Sequence, residues 1–106
     1  METEFVVVLV TIAQRDEADA LGRTLIEEAL AACVNIIGPI RSIYRWQGAV
    51  VGDDEHLLVI KARRSTFDAL EQRVRALHAY EIPEIIALPV VAGSTPYLDW
   101  LRASTR

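Results

Sequence analysis

The sequence has very little cysteine. Cys33 is the only one in 106 residues, so no disulfide forms within one chain, and a zinc site built on several cysteines is excluded. Low cysteine content is typical of proteins from a reducing compartment, and we therefore expect a cytoplasmic location. The first four residues include two acids and no base, which is unlike the start of a secretory signal peptide.

Positive charge is also scarce. Lysine and arginine together number 11 against 15 acidic residues, which gives a net charge of −4, and Lys61 is the only lysine. The arginines are spread along the sequence instead of forming the basic face that nucleic acids require, so no nucleic-acid partner is expected. Nor does any apolar run approach the length that spans a membrane, and no membrane association is expected.

Apolar residues are abundant for so short a chain. They make up 52% of the sequence, while the length corresponds to one domain, which we place at residues 1–106. A small domain has much surface and little interior. We therefore expect part of the apolar surface to be buried against another subunit.

Two unbroken apolar runs, at residues 5–10 and 57–60, predict central strands, the first of them buried on both faces. Two other extended segments contain prolines, Pro39 within residues 33–47 and Pro89 within residues 84–91. Proline donates no hydrogen bond to a sheet ladder, so these segments are predicted to be edge strands, the first of them bulged at Gly38–Pro39.

Helical periodicity covers residues 16–31 and 67–77, and Pro96 suits the start of a short last helix that contains Trp100. Ser65 and Asp68 have the spacing of a capping box before the second helix. The element order predicts an α+β domain of the ferredoxin-like, split βαβ type: βαββαβ plus a C-terminal helix.

The second and third strands are longer than this fold requires. Their far ends, around residues 44–51, should project as an exposed ribbon that carries Tyr44 and Trp46. Exposed strand edges and a projecting aromatic ribbon favour pairing with another chain, so we predict an oligomer.

Few residues of the sequence suggest a catalytic or metal-binding role. Cys33 follows a helix C-terminus among apolar neighbours, which favours a buried packing residue over a reactive thiol. His78 ends the second helix, where it either caps the last carbonyls or serves as a metal ligand or proton-handling group. The acidic run at residues 53–55 is expected to be a solvated turn, and Lys61 and Arg63 are expected to pair with Glu55 or Glu81.

Several segments resemble the CutA divalent-cation-tolerance family, in its order and spacing, from Val6 to Ser104. The most specific are Ser-x-Tyr-x-Trp-x-Gly at residues 42–48 and His-x-Tyr-Glu-x-Pro-Glu at residues 78–84. The resemblance implies a ferredoxin-like homotrimer whose sheets join edge to edge. It also implies a role in tolerance to copper and other divalent metals, without a catalytic activity or a required cofactor.

The resemblance also implies a copper site, but the sequence departs from it. Val10 stands where some bacterial members have a cysteine, and Leu77 stands where they have the first of two histidines; only His78 matches. Valine and leucine do not coordinate metals, so we expect copper to bind weakly.

Two rival functions stay open at this point. One is a regulator like the P-II proteins, which binds a small anionic effector or a partner protein in clefts between subunits. The other is a small enzyme that uses His78 as a general acid–base. The candidate residues fall into three groups: a metal ligand, His78; an intersubunit cleft, Cys33, Lys61, Arg63, Tyr80, Glu81 and Glu84; and a trimer interface, Tyr44, Trp46 and Trp100.

Overall fold

The computed structural model describes residues 3–106; Met1 and Glu2 of the acidic start lie outside the described residues. Its elements follow the predicted order: β1 (Phe5–Ile12), α1 (Arg15–Glu27), β2 (Cys33–Trp46), β3 (Ala49–Arg63), a 3-10 turn (Arg64–Thr66), α2 (Phe67–Leu77), β4 (Ile85–Pro89) and α3 (Thr95–Ala103). The predicted ferredoxin-like α+β fold is thereby confirmed.

The four strands form one antiparallel sheet in the order β2-β3-β1-β4. The strands with unbroken apolar runs are central, and the two that contain proline are at the edges, as predicted. The register of β2 against β3 shifts between Ile37 and Ile40. This irregularity contains Pro39, which confirms the predicted bulge.

The main core lies between the sheet and the helices α1 and α2. Alternate residues of the central strands, among them Val8, Val10 and Ile60, are fully buried against Leu25 and Leu70 of the two helices. The period of two in a strand and of 3.6 in a helix brings these apolar side chains onto facing surfaces.

Helix α1 ends four residues earlier than its periodicity predicts, because Ala29 adopts a positive φ of 57°. The Ala29 N–H donates to the Ile26 carbonyl at 3.0 Å, and the Leu30 N–H donates to the Leu25 carbonyl at 2.9 Å. This pair of bonds is a Schellman motif, which usually places glycine where this chain has Ala29.

The predicted capping box at the start of α2 is wrong. No side chain caps this helix, and Thr66 adopts the N-cap position after the 3-10 turn. The Thr66 hydroxyl instead donates to the carbonyls of Leu30 and Arg63, each at 3.0 Å. It therefore ties the end of β3 to the segment that follows α1.

The second face of the sheet is largely open within one chain, so the prediction that β1 is buried on both faces is wrong for a single chain. Helix α3 covers only one end of this face, where Leu101 is buried and the Arg102 guanidinium lies 5.2 Å from the Phe5 ring centroid. We call the remainder the open face. Its apolar side chains include Val7, Leu9, Ile37, Leu57, Val59, Ile86 and Leu88, all half-buried or exposed.

Strands β2 and β3 continue beyond the helices as the predicted ribbon. Residues Gln47 and Gly48 join them in a two-residue turn in which both φ angles are positive, at 49° and 81°. Positive φ at both positions is the feature of a type I′ turn, whose twist matches that of the strands it connects. No helix between residues 3 and 106 has the length and apolarity to cross a membrane.

Candidate functional site

A cavity of about 600 Å³ lies where the ribbon meets the loop that follows α2. Strand alternation places Asp53 and Glu55 of β3 on the open face, and Tyr44 of β2 lies diagonally opposite Asp53. The loop contributes Tyr80 and Glu84 from the other side. The full lining is Thr11, Ser42, Ile43, Tyr44, Trp46, Asp53, Glu55, Tyr80, Glu81, Ile82 and Glu84.

Two tyrosine–carboxylate pairs organise this cavity. The Tyr80 hydroxyl donates to Glu55 Oε2 at 2.8 Å, and the Tyr44 hydroxyl donates to Asp53. Burial, followed by the hydrogen bond to Glu55, raises the pKa of Tyr80 well above its ordinary value of 10. The hydrogen bond to Asp53 raises the pKa of Tyr44 in the same direction. Both phenols therefore stay protonated and act as hydrogen-bond donors.

His78 positions the loop that bears Tyr80. Its ring is buried, and Nε2 lies 2.7 Å from the Thr11 carbonyl at the end of β1, which requires Nε2 to carry the proton. Nδ1 then accepts a hydrogen bond from the Tyr80 backbone N–H at 3.1 Å. His78 thus connects β1 to the loop, and its Nδ1 lone pair is engaged.

The acidic run at residues 53–55 is not the predicted solvated turn. All three residues lie within β3, and Glu55 is only 6% exposed. Asp54 points to the opposite side and pairs with Arg41. Asp53 and Glu55 are site residues that the sequence interpretation missed. Asp53, Glu55 and Leu57 are alternate residues of one strand, and this spacing is the sequence signal that could have placed the two acids on one face.

The predicted cleft residues separate into two groups within one chain. Tyr80, Glu81 and Glu84 line the cavity. Cys33 and Lys61 pair with each other at the far end of β2 and β3. Lys61 lies six residues beyond Glu55 on one strand, a distance of about 20 Å at 3.3–3.4 Å per residue.

The predicted pairing of Lys61 and Arg63 with Glu55 or Glu81 is wrong. The Lys61 ammonium donates to the side chain of Asn35, and Arg63 Nη2 lies 3.5 Å from a Glu4 carboxylate oxygen. Lys61 and Arg63 therefore find their partners at the end of the sheet that is remote from the cavity.

Cys33 is half-buried, so the prediction of a buried packing residue is wrong for a single chain. It begins β2 and faces the open face, whereas its neighbour Val34 packs on the core. The three aromatic residues predicted to lie at a trimer interface, Tyr44, Trp46 and Trp100, are all more than 40% exposed. The first two belong to the ribbon and the third to α3.

The described residues do not form a ready metal site. Nowhere in residues 3–106 do three or more His, Cys, Asp or Glu side chains converge as metal ligands. Val10, at the position of an implied copper ligand, is fully buried and faces the helix-covered core. His78 uses both ring nitrogens for backbone hydrogen bonds.

The sequence is similar to proteins of known family. A protein of Thermus thermophilus named divalent-cation tolerance protein CutA is 52% identical over 99 residues, which make up 93% of this chain and 96% of that protein. The chloroplastic protein CutA of Arabidopsis thaliana is 48% identical over 101 residues. The match spans 95% of this chain but 56% of the plant protein.

The fold is also similar to those of solved structures. The structure of the Thermus thermophilus divalent cation tolerance protein superposes with a TM-score of 0.94 at 50% identity, covering 96% of this chain and 99% of that one. The crystal structure of CutA1 from Oryza sativa gives 0.95 at 47% identity, covering 98% and 95%. A model of the CutA1 divalent ion tolerance protein family matches residues 6–104. The chain therefore belongs to the CutA1 divalent ion tolerance protein family.

Proposed function

We propose that this chain acts in divalent-cation tolerance as a homotrimer without catalytic activity. The observation that carries the proposal is the family match over residues 6–104, together with 52% identity to a protein that is named for this role. A cytoplasmic location and independence from a bound cofactor are parts of the same proposal.

A tolerance assay tests the proposal directly. A bacterial strain that lacks its own CutA protein is challenged with graded Cu²⁺ and Zn²⁺, with and without expression of this chain. We expect expression to restore growth at metal concentrations that inhibit the deletion strain. Equal growth at every metal concentration, with the protein present at normal levels, contradicts the proposed role.

The open face supports the proposed trimer. Ile86 and Leu88 of the edge strand β4 are each about half exposed in one chain, at 50% and 48%, and Ile37 of β2 is 48% exposed. Together with the half-buried side chains of β1 and β3, they make a continuous apolar surface of the kind that subunits bury. The ribbon adds Trp46 to the same side.

Sedimentation equilibrium tests the assembly. We expect three chains per particle at micromolar concentration, and a shift toward monomer for Trp46→Arg, because the substitution brings a charge into a dry contact. Gln72→Arg adds the same charge to an exposed position on α2 and serves as the control. A wild-type monomer across micromolar concentrations contradicts the proposed trimer.

We further propose that any copper binding is weak. A tight copper site needs several nitrogen or sulfur donors in fixed geometry, and His78 must give up at least one backbone hydrogen bond to bind a metal. Loss of a ligand should weaken binding at least as much as loss of a supporting partner, about 10–100-fold.

Calorimetric titration with Cu²⁺ compares the wild type with a Val10→Cys, Leu77→His double variant. We expect the wild type to bind at least tenfold more weakly, provided that circular dichroism shows the variant to be folded. Submicromolar binding of one Cu²⁺ per chain to the wild type contradicts this expectation and requires a different ligand set.

A further inference from the structure

Lys61 is a cation on the open face that has no acidic partner in its own chain. It alternates with Val59 along β3, and its ammonium donates to the neutral side chain of Asn35. Among residues 3–106 it forms no ion pair, whereas Arg63, two positions further along the strand, contacts Glu4. The charge of Lys61 is therefore left without an opposite charge in the part of the chain that the structure describes.

Glu55 is the opposite case at the other end of the same face. Its carboxylate is 6% exposed and accepts a hydrogen bond from the neutral phenol of Tyr80, but it forms no ion pair within the described residues. No lysine, arginine or histidine of these residues lines its cavity. Glu55 and Lys61 are six residues apart on one strand, about 20 Å, so they cannot meet within one chain.

Burial of the open face in the proposed trimer makes both charges costly. Half-buried apolar side chains, Leu57 and Val59, lie between Glu55 and Lys61 on this face of β3. A dry contact over these side chains removes the water that solvates the Lys61 ammonium. A buried charge is unfavourable unless an opposite charge and hydrogen bonds compensate it. Each of the two charges is therefore best compensated from a neighbouring copy.

The symmetry of a closed trimer supplies such a neighbour. Three identical chains in a ring contact head to tail, so each copy presents two different patches that must complement each other. Lys61 and the cavity that contains Glu55 are two patches of opposite charge at opposite ends of one face. Complementary charges also fix the register of the subunits, because a shifted arrangement brings like charges together.

We infer that Lys61 of each copy enters the cavity of the neighbouring copy and pairs with Glu55 there. An ammonium group has three donors, so Lys61 keeps its bond to Asn35 while it donates to the carboxylate. The inference rests on the proposed homotrimer and names the polar contact that orders its subunits. The cavity is incomplete in one chain and is filled by the side chain of a second copy.

A double-mutant cycle tests the contact in the complete chain. Lys61→Met removes the positive charge, and Glu55→Gln removes the negative charge but keeps an acceptor for Tyr80. Sedimentation equilibrium, at one urea concentration at which wild-type trimer and monomer coexist, gives the dissociation constant of each variant. We expect Lys61→Met to weaken assembly about tenfold or more in the wild type, but about threefold or less when Glu55→Gln is already present. Arg75→Met, on the exposed side of α2, is the control and should leave assembly unchanged.

Zero-length cross-linking identifies the group that Lys61 contacts. A carbodiimide joins an amine directly to a carboxylate, and Lys61 is the only lysine in the sequence. Peptide mass spectrometry of the wild-type trimer should recover Lys61 joined to Glu55 or to its neighbour in the cavity, Asp53. Cross-links from Lys61 only to carboxylates outside the cavity, or independent effects of Lys61→Met and Glu55→Gln, overturn the inference and leave the trimer standing. A wild-type monomer contradicts both the trimer and this contact.

Discussion

Removal of the Tyr80 hydroxyl isolates the contribution of the hydrogen bond to Glu55. The donor and acceptor oxygens are 2.8 Å apart, and the acceptor is a carboxylate that is only 6% exposed. A hydrogen bond to a charged group contributes about 1.5–3 kcal/mol. Because Tyr80 itself is partly exposed, we expect Tyr80→Phe to lower the free energy of unfolding by about 2 kcal/mol.

Denaturant unfolding at fixed protein concentration measures this loss, with an unchanged m-value to show that the transition itself is comparable. Tyr97→Phe on α3 is the control, because the Tyr97 ring is exposed and its hydroxyl makes no hydrogen bond within the described residues. The control should stay within about 0.5 kcal/mol of the wild type. A double-mutant cycle with Glu55→Gln should give a coupling of about 1–2 kcal/mol.

The same bond predicts a pH dependence. The pKa of Tyr80 is raised in the folded chain by burial and by the hydrogen bond to Glu55, while tyrosine in an unfolded chain has a pKa of about 10. The stabilisation is therefore complete below about pH 10 and is lost as the pH rises above that value. If Tyr80→Phe and Tyr97→Phe are equally stable, or the cycle shows no coupling, the argument that this bond supports the cavity is refuted.

Three other predictions concern local features. Ala29→Gly should stabilise the fold by about 1 kcal/mol, because it removes the strain of a positive φ in the Schellman motif. Ala20→Gly, on the exposed side of α1, should destabilise the fold by about 1 kcal/mol. Thermal unfolding measures both changes, and a loss of stability for Ala29→Gly contradicts the motif. Gly48→Val should destabilise the ribbon turn by at least about 1 kcal/mol in the same assay, and an unchanged midpoint contradicts the type I′ assignment. Cys33 should react with a thiol reagent slowly in the wild type and faster in Trp46→Arg, because the proposed assembly covers the open face. Equal rates contradict that burial.

The fold could be predicted because the amino-acid composition of each strand indicates whether it lies at the centre or at an edge of the sheet. Unbroken β-branched and aliphatic runs favour the centre of a sheet, and proline donates no ladder hydrogen bond, which confines Pro39 and Pro89 to edge strands. Together these two facts fix which strands are central. Where α1 ends could not be predicted in the same way, because Ala29 gives no glycine signal for its left-handed conformation.

The cavity was only partly predictable. Tyr80, Glu81 and Glu84 belong to one sequence segment and stay together in space, whereas Glu55 joins them only through the pairing of distant strands. A cluster of three acids favours a turn by composition alone, and only the strand register shows that Glu55 faces inward. Lys61 and Arg63 were misplaced for the same reason, since they lie near Glu55 in sequence but are directed to the remote end of the sheet.

The position of β1 in the sheet has a consequence for the order in which a newly made chain gains structure. One side of this strand pairs with β3 and the other with β4, whose register joins Val6 to Pro89. At about 5–20 residues per second, translation of the segment between β1 and β4 takes roughly 4–15 s. During that interval the edge of β1 that pairs with β4 has no partner from its own chain. Refolding of the complete chain avoids this delay, so aggregation should be more severe during synthesis than during refolding at the same concentration, and slower translation should make it worse.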